Sequence, residues 1–228
     1  MKKFIVPILS VCLFIMSCSV DEAAQLETEN AERSGIRLKN LTGIANPENE
    51  YDYVGELHAA ILNDYLENYQ YSTAVGDIIG DVEDIAGSTS GFTSISSGYT
   101  GLTVTEVESI IDDIAIPENL IDSSVMSAEG KIELLGFLDI LDGLEGKVFS
   151  YVYDTITGFE EKVLANSSLT ETDIKIILAT TSTARYSIAY ADDKDRQWSR
   201  TRTGILCSVN NSAAKAVTLS VTANIIAD

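Results

Sequence analysis

Histidine and cysteine, the residues most often used in nucleophilic catalysis and zinc binding, are scarce in this chain of 228 residues. It contains one histidine, His58, and neither an HExxH motif nor the paired-cysteine spacing of a zinc site. A dyad of Cys207 and His58 is formally possible, because a thiolate needs a neighbouring base. However, Cys207 lies in the apolar run GILCSV, and His58 lies between Val54 and Leu62 on an apolar helical face. We therefore predict that both side chains are buried and structural.

Carboxylates can replace histidine in acid–base catalysis, as a pair of them does in glycosidases. Asp77, Asp81 and Asp84 recur at i, i+4 and i+7, which would place them on one face of a helix. Like charges at that spacing repel one another and attract cations, although the D-x-[DN]-x-[DN]-G pattern of a calcium loop is absent from the sequence. We prefer a solvated acidic face; a calcium site is the alternative.

The best candidate for a contact site is the basic segment around the only tryptophan, Trp198. Lys194, Arg196, Arg200 and Arg202 fall close together in an otherwise acidic chain. Tryptophan and arginine are enriched where proteins grip partners, and an indole face can stack on a sugar ring. We predict that Trp198, Arg196, Arg200 and Arg202 bind an envelope protein or an acidic glycan. The alternative is a connecting loop whose cations neutralise the neighbouring acids.

The N-terminus has the features of a targeting signal. Lys2 and Lys3 precede an apolar core, Phe4 to Met16, which at about a dozen residues suits a signal peptide and is short of the ~20 residues that a spanning helix needs. The segment Ile15-Met16-Ser17-Cys18 resembles a bacterial lipobox, in which a small residue precedes the cysteine. The resemblance implies that residues 1–17 are cleaved and that Cys18 carries the lipid that holds the protein to a membrane. A secretory signal with an incidental cysteine is the alternative.

The residues behind Cys18 refine the expected location. Ser19 is not the aspartate that resembles an inner-membrane retention signal, whereas Asp21 and Glu22 look like the export signals of Bacteroidota surface lipoproteins. We therefore expect attachment to the outer membrane, with exposure at the cell surface. Only Cys207 would remain as a free thiol after cleavage and lipidation, so no internal disulfide is expected.

The amino-acid composition argues against nucleic acid as a partner and distinguishes a polar N-terminal segment from a folded domain. The formal net charge is −20, and removal of the leader takes away two lysines and no acid. So acidic a chain repels phosphate backbones, which argues against nucleic acid. Residues 18–45 contain few large apolar side chains and are predicted to form a disordered tether. Residues 46–228 are sufficient for one folded domain, and no cofactor is predicted.

Apolar side chains at three- and four-residue steps predict a bundle of about five or six helices, an all-α fold. Helices are expected over 53–69, 148–163 and 174–188, and from Ser127 to Leu141, where Gly143 and Gly146 follow. Residues 72–103 are predicted to be mostly loop around a short helix, 77–85. Capping-box spacings at Thr105–Glu108 and Thr170–Asp173 predict two helix starts, the first for a helix through Ile114. Residues 212–226 fit either a strand or a helix, and the helical neighbours favour the helix.

Two sequence blocks resemble a family of proteins. Residues 46–58, NPENEYDYVGELH, are similar to a block near the start of uncharacterised secreted or lipid-anchored proteins of Bacteroidota. Residues 182–190, STARYSIAY, are similar to a second block of that family, in the same order. The resemblance implies export and lipid anchoring and carries no catalytic residues with it. We therefore expect a non-enzymatic binding or structural lipoprotein; the alternative is an envelope- or glycan-directed hydrolase that uses carboxylates.

Overall fold

Side-chain caps mark the start of some helices, whereas others begin without a side-chain cap hydrogen bond. The computed structural model describes residues 43–69, 72, 74–97, 99–112, 121–193 and 213–227. All regular structure within those ranges is helical, which confirms the all-α prediction. The helices are α1 (Asp52–Asn68), α2 (Val75–Ser88), α3 (Phe92–Ile95), α4 (Val104–Asp112), α5 (Ala128–Asp142), α6 (Phe149–Ala165), α7 (Glu171–Asp193) and α8 (Ala213–Ala227).

Two hydrophobic clusters meet along the interface between α1 and α7. One cluster joins α5, α6 and α7 through side chains such as Phe137, Ile156 and Leu178. The other joins α1, α2 and α8 through side chains such as Ile61, Val82 and Val217. Every residue of α7 from 180 to 190 is buried, and so is every residue of α8 from 216 to 222. A helix that is buried on all its faces lies inside the fold, so the amphipathic helices surround these two segments.

Two of the predicted helix starts are confirmed. Ser127 caps α5, since its Oγ accepts a hydrogen bond from the Gly130 N–H at 3.0 Å. Thr170 and Asp173 form the predicted capping box of α7: the Thr170 N–H donates to Asp173 Oδ2 at 2.9 Å, and the Asp173 N–H donates to Thr170 Oγ1 at 3.1 Å. Gly143 ends α5, and Gly146 has a φ of 71°, as the prediction of a break requires.

The predicted start of α4 is wrong by two residues. The capping box is formed by Thr103 and Glu106, with the Thr103 N–H donating to Glu106 Oε2 at 3.0 Å and the Glu106 N–H to Thr103 Oγ1 at 3.3 Å. The run TVTEVE offers the T-x-x-E spacing twice. The earlier frame places Leu102 before the cap and Val107 at the fourth helical position, where both are buried in one cluster. This hydrophobic staple decides between the two frames.

The prediction that residues 72–103 are mostly loop is also wrong. Helix α2 runs from Val75 to Ser88, beyond the predicted 77–85 at both ends, and α3 adds another turn. The glycines within α2 cost helix stability, but Ile78, Ile79, Val82, Ile85 and Ala86 are buried and offset that cost. Residues 213–227 are helical, as preferred. In the part of the chain that is described, each helix is too short or too polar to cross a bilayer.

Candidate functional site

The two blocks of the family resemblance lie against each other. The first block supplies the end of the segment 43–51, which we call the strap, and the first two turns of α1. The second block is the buried half of α7. Gly55 of α1 lies so close to α7 that a Cβ atom there would be 2.6 Å from the Ser182 carbonyl oxygen. The Gly55 N–H donates to Ser182 Oγ at 3.2 Å, and Ser182 Oγ donates to the Asp52 carbonyl at 2.9 Å.

Two asparagines shape the strap, because each side chain accepts a hydrogen bond from the strap backbone and donates one to the rest of the domain. The Oδ1 atom of Asn46 accepts from the Glu48 N–H at 3.2 Å, and that of Asn49 accepts from the Tyr51 N–H at 2.9 Å. These are Asx turns, which asparagine forms readily. The Nδ2 atoms then remain as donors, and both asparagines are buried. The strap is therefore folded so that two amide groups point into the domain.

Glu160 of α6 receives both amides. Its Oε2 accepts from Asn46 Nδ2 at 2.6 Å, and its Oε1 accepts from Asn49 Nδ2 at 2.9 Å and from Thr181 Oγ1 at 2.7 Å. The side chain has no solvent exposure. A buried carboxylate is stable only when it is paired and hydrogen-bonded, and these three donors provide much of that compensation.

Arg185 of α7 supplies the countercharge. Its Nη2 lies 3.1 Å from Glu160 Oε1 and 2.5 Å from Asp52 Oδ1, and its Nη1 donates to the carbonyl of Ile44 in the strap. Burial opposes the charge, but Glu160 and Asp52 outweigh it and raise the pKa of Arg185 above its ordinary value. We call Asn46, Asn49, Asp52, Glu160 and Arg185 the Arg185 network.

Two tyrosine rings flank the guanidinium group. The Arg185 Cζ atom lies 5.9 Å from the centroid of Tyr153 and 5.7 Å from that of Tyr186, within the range of cation–π attraction. The Tyr153 hydroxyl donates to the carbonyl of Ala45 at 3.0 Å, and the Tyr186 hydroxyl donates to Asp52 Oδ2 at 3.1 Å. Burial, together with the Asp52 charge, raises the pKa of Tyr186, so this hydroxyl remains protonated and keeps donating.

His58 lies in α1, six residues after Asp52, and is fully buried, as predicted for a structural histidine. Its Nδ1 is 3.4 Å from Ser187 Oγ on α7. Desolvation lowers the pKa of the imidazole to about 4, so the ring is neutral at neutral pH. No solvent reaches it, and the neutral ring serves the packing of α1 on α7.

This arrangement suits positioning better than catalysis. Asp52 and Glu160 converge, but on one arginine nitrogen, and the Asp52 side chain is only 16% exposed. A glycosidase-type pair needs room for a sugar or a water between its carboxylates. Of the predicted acidic face, Asp77 and Asp84 are exposed and Asp81 is partly buried. Among the described residues, no group of three or more His, Cys, Asp or Glu side chains could hold a metal ion.

The other sequence-predicted site residues lie outside the described residues. They are the lipidation residue Cys18, the free thiol Cys207, and the predicted contact residues Arg196, Trp198, Arg200 and Arg202. Sequence reasoning did not single out Arg185. One signal is present: Arg185 is the only charged residue between Lys175 and Asp192, and an isolated charge in a long uncharged stretch indicates a buried ion pair.

Comparison with known proteins does not assign this site. No family model, no curated protein and no solved structure matches the chain. What the site does must therefore be inferred from its own chemistry.

Proposed function

We propose that the protein is a lipoprotein of the outer membrane, held through Cys18 and exposed at the cell surface, in which the helical domain has a non-enzymatic binding or structural role. The order of features at the N-terminus supports this proposal: two lysines, a short apolar core and a small residue precede Cys18 in that order. Asp21 and Glu22 follow where a surface-export signal would lie. The similarity of the two sequence blocks to exported proteins of Bacteroidota points the same way.

The chemistry of the domain supports a role other than catalysis. In the described residues, the acids of the Arg185 network are paired with donors from within the domain. These contacts hold helices and the strap together. Binding would then belong to another surface, and the segment around Trp198 is the one we propose, with an envelope protein or an acidic glycan as its partner.

Metabolic labelling with a palmitate analogue tests the anchor. The wild-type protein isolated from labelled cells should carry the label, and the Cys18→Ala protein should not. Cys12→Ala is the matched control, because Cys12 lies inside the apolar core of the leader and should be dispensable for labelling. Equal labelling of wild type and Cys18→Ala would refute the lipoprotein proposal. Protease added to intact cells should then digest the domain if it faces outward.

A further inference from the structure

The strap occupies the position through which any pull on the N-terminus must pass. Residues 43–51 include the last three residues of the segment predicted to form the tether, 18–45, and lead to the first residue of α1, Asp52. A force applied upstream travels along the backbone to the first point that is fixed to the rest of the fold. Ile44 is buried, so among the described residues the chain is already fixed to the fold within the strap, before α1 begins.

The strap is fixed by several contacts side by side. The carbonyl of Ile44 accepts from Arg185, and that of Ala45 accepts from the Tyr153 hydroxyl at 3.0 Å. Asn46 and Asn49 donate to Glu160, and Asn49 Nδ2 also lies 3.0 Å from the Leu178 carbonyl. The groups that make these hydrogen bonds all belong to α6 and α7, over 100 residues later in the chain, and Ile44 also packs against Ala59 of α1.

We propose that the strap, through its hydrogen bonds to Tyr153, Glu160 and Arg185, forms a force-carrying junction, which passes tension from the membrane anchor directly into α6 and α7 as well as along the backbone into α1. This role rests on the lipid anchor proposed above. Contacts loaded in parallel share a force, whereas the hydrogen bonds of a helix end are loaded one after another. The contacts to Glu160 are buried and charge-assisted, so water does not readily replace them when the chain is pulled.

Single-molecule pulling on the full chain tests the junction. With attachment tags at the N- and C-termini, release of the strap should precede unfolding of the helices. Asn49→Ala should raise the release rate at constant force about tenfold, the equivalent of about 1.4 kcal/mol of barrier. Tyr153→Phe, which removes one hydroxyl and keeps the ring, should raise it less. Asn166→Ala is the matched control, since Asn166 forms an Asx turn with Ser168 on the surface and does not bond to the strap.

A second pulling geometry separates tension from general stability. A tag inserted between Glu145 and Gly146, in the exposed turn after α5, bypasses the strap when the C-terminus is the other handle. In that geometry Asn49→Ala should leave the rate of the first rupture unchanged. An equal effect in both geometries, or an N-terminal release rate equal to that of Asn166→Ala, would overturn the junction. Failure of Cys18 labelling would refute the anchor and leave these release rates as they are, so the two proposals fail separately.

Discussion

Glu160 and Arg185 face each other in the interior, 3.1 Å apart, and neither side chain is exposed to solvent. Each also holds the strap, Glu160 through two asparagine amides and Arg185 through the Ile44 carbonyl. The pair therefore links three segments that are distant in sequence: the strap, α6 and α7. A buried ion pair costs desolvation energy and therefore adds little net stability. We infer that the main role of this pair is to fix the position in which the strap packs.

Replacing the buried acid should be severe, and its neighbour provides the control. Glu160→Gln removes one of the two negative charges that compensate Arg185, leaving Asp52, and turns an amide toward the donors of Asn46 and Asn49. We expect the free energy of unfolding to fall by about 3 to 5 kcal/mol, the usual cost of breaking a buried pair. Urea denaturation would measure it. Glu161→Gln, on an exposed position, should change stability by about 0.5 kcal/mol or less. Equal midpoints for the two variants would contradict the role of Glu160.

The close approach of α1 and α7 predicts opposite outcomes for two identical substitutions. Gly55→Ala puts a methyl group against the Ser182 backbone and should destabilise the protein by about 1 to 3 kcal/mol. Gly80→Ala, in α2, meets nothing within 4 Å and should stabilise it by about 0.5 to 1 kcal/mol through the higher helix propensity of alanine. Thermal unfolding followed by circular dichroism would show the two shifts. A stabilising Gly55→Ala would mean that the helices are further apart.

Asp173 connects two helix starts and should be sensitive to loss of charge. It accepts from the N–H of Ser127 at 2.8 Å and from that of Thr170 at 2.9 Å, so it serves the first turns of both α5 and α7. Burial disfavours its charge, but the hydrogen bonds from Ser127 and Thr170 prevail and lower the pKa of Asp173. We expect Asp173→Asn to cost about 2 to 3 kcal/mol in chemical denaturation.

The pH dependence of that loss has a definite sign. Because the folded-state pKa of Asp173 is depressed, its contribution is complete above the unfolded pKa of about 3.9 and disappears as the pH falls through the folded value. Wild type and Asp173→Asn should therefore converge only under strongly acidic conditions. Asp154→Asn is the control, since Asp154 is exposed in the middle of α6. A cost as small as that of the control would show that the two helix starts do not depend on the carboxylate.

Local sequence signals were sufficient for most of the fold. The capping box of Thr170 and Asp173 was found because its T-x-x-D spacing occurs once before an apolar face, and Leu169 and Ile174 flank it as a staple does. At TVTEVE the same spacing occurs twice, and only the burial of Leu102 and Val107 selects Thr103. Helix α2 was underestimated because its glycines have low propensity, whereas its stability comes from contacts with other helices.

The site was harder to predict because it depends on distant partners. Helical spacing places Glu160 beside the apolar face of Ile156 and Val163 and places Glu161 on the opposite side, but it does not predict that a carboxylate is fully buried. That burial is set by Asn46, Asn49 and Arg185, which are remote in the sequence. Asn46, Asn49 and Arg185 lie in the two sequence blocks described above, but the sequence of the blocks does not indicate that they are in contact. His58 was predicted correctly because its immediate helical neighbours are apolar.

The predicted contact surface around Trp198 can be tested by fluorescence, since this is the only tryptophan of the chain. If Trp198 is exposed, iodide should quench it, and an acidic glycan should protect it at low salt. The protection should weaken as salt rises, because exposed charges are screened within about 8 to 10 Å at physiological ionic strength. Arg200→Ala should lose protection, and Lys131→Ala, a lysine of α5 that is distant in the sequence, is the control. Short-wavelength emission that resists iodide would place the indole in the core and exclude the surface.

Burial of His58 should make the stability of the protein depend on pH between about 6.5 and 4. The unfolded histidine has a pKa of about 6.5, and burial lowers the pKa of the folded one to about 4. Within that window the unfolded state binds the extra proton, so stability falls as the pH falls, by on the order of 3 kcal/mol in total. Glu56, whose pKa is raised by burial and by Asp52, changes stability in the opposite direction.

His58→Leu should lower stability by about 1 to 3 kcal/mol at pH 7, through loss of the contact with Ser187, and should abolish the histidine part of the slope. Urea midpoints of both proteins across this pH range would measure it, and parallel curves would show that His58 titrates alike in the folded and unfolded chains.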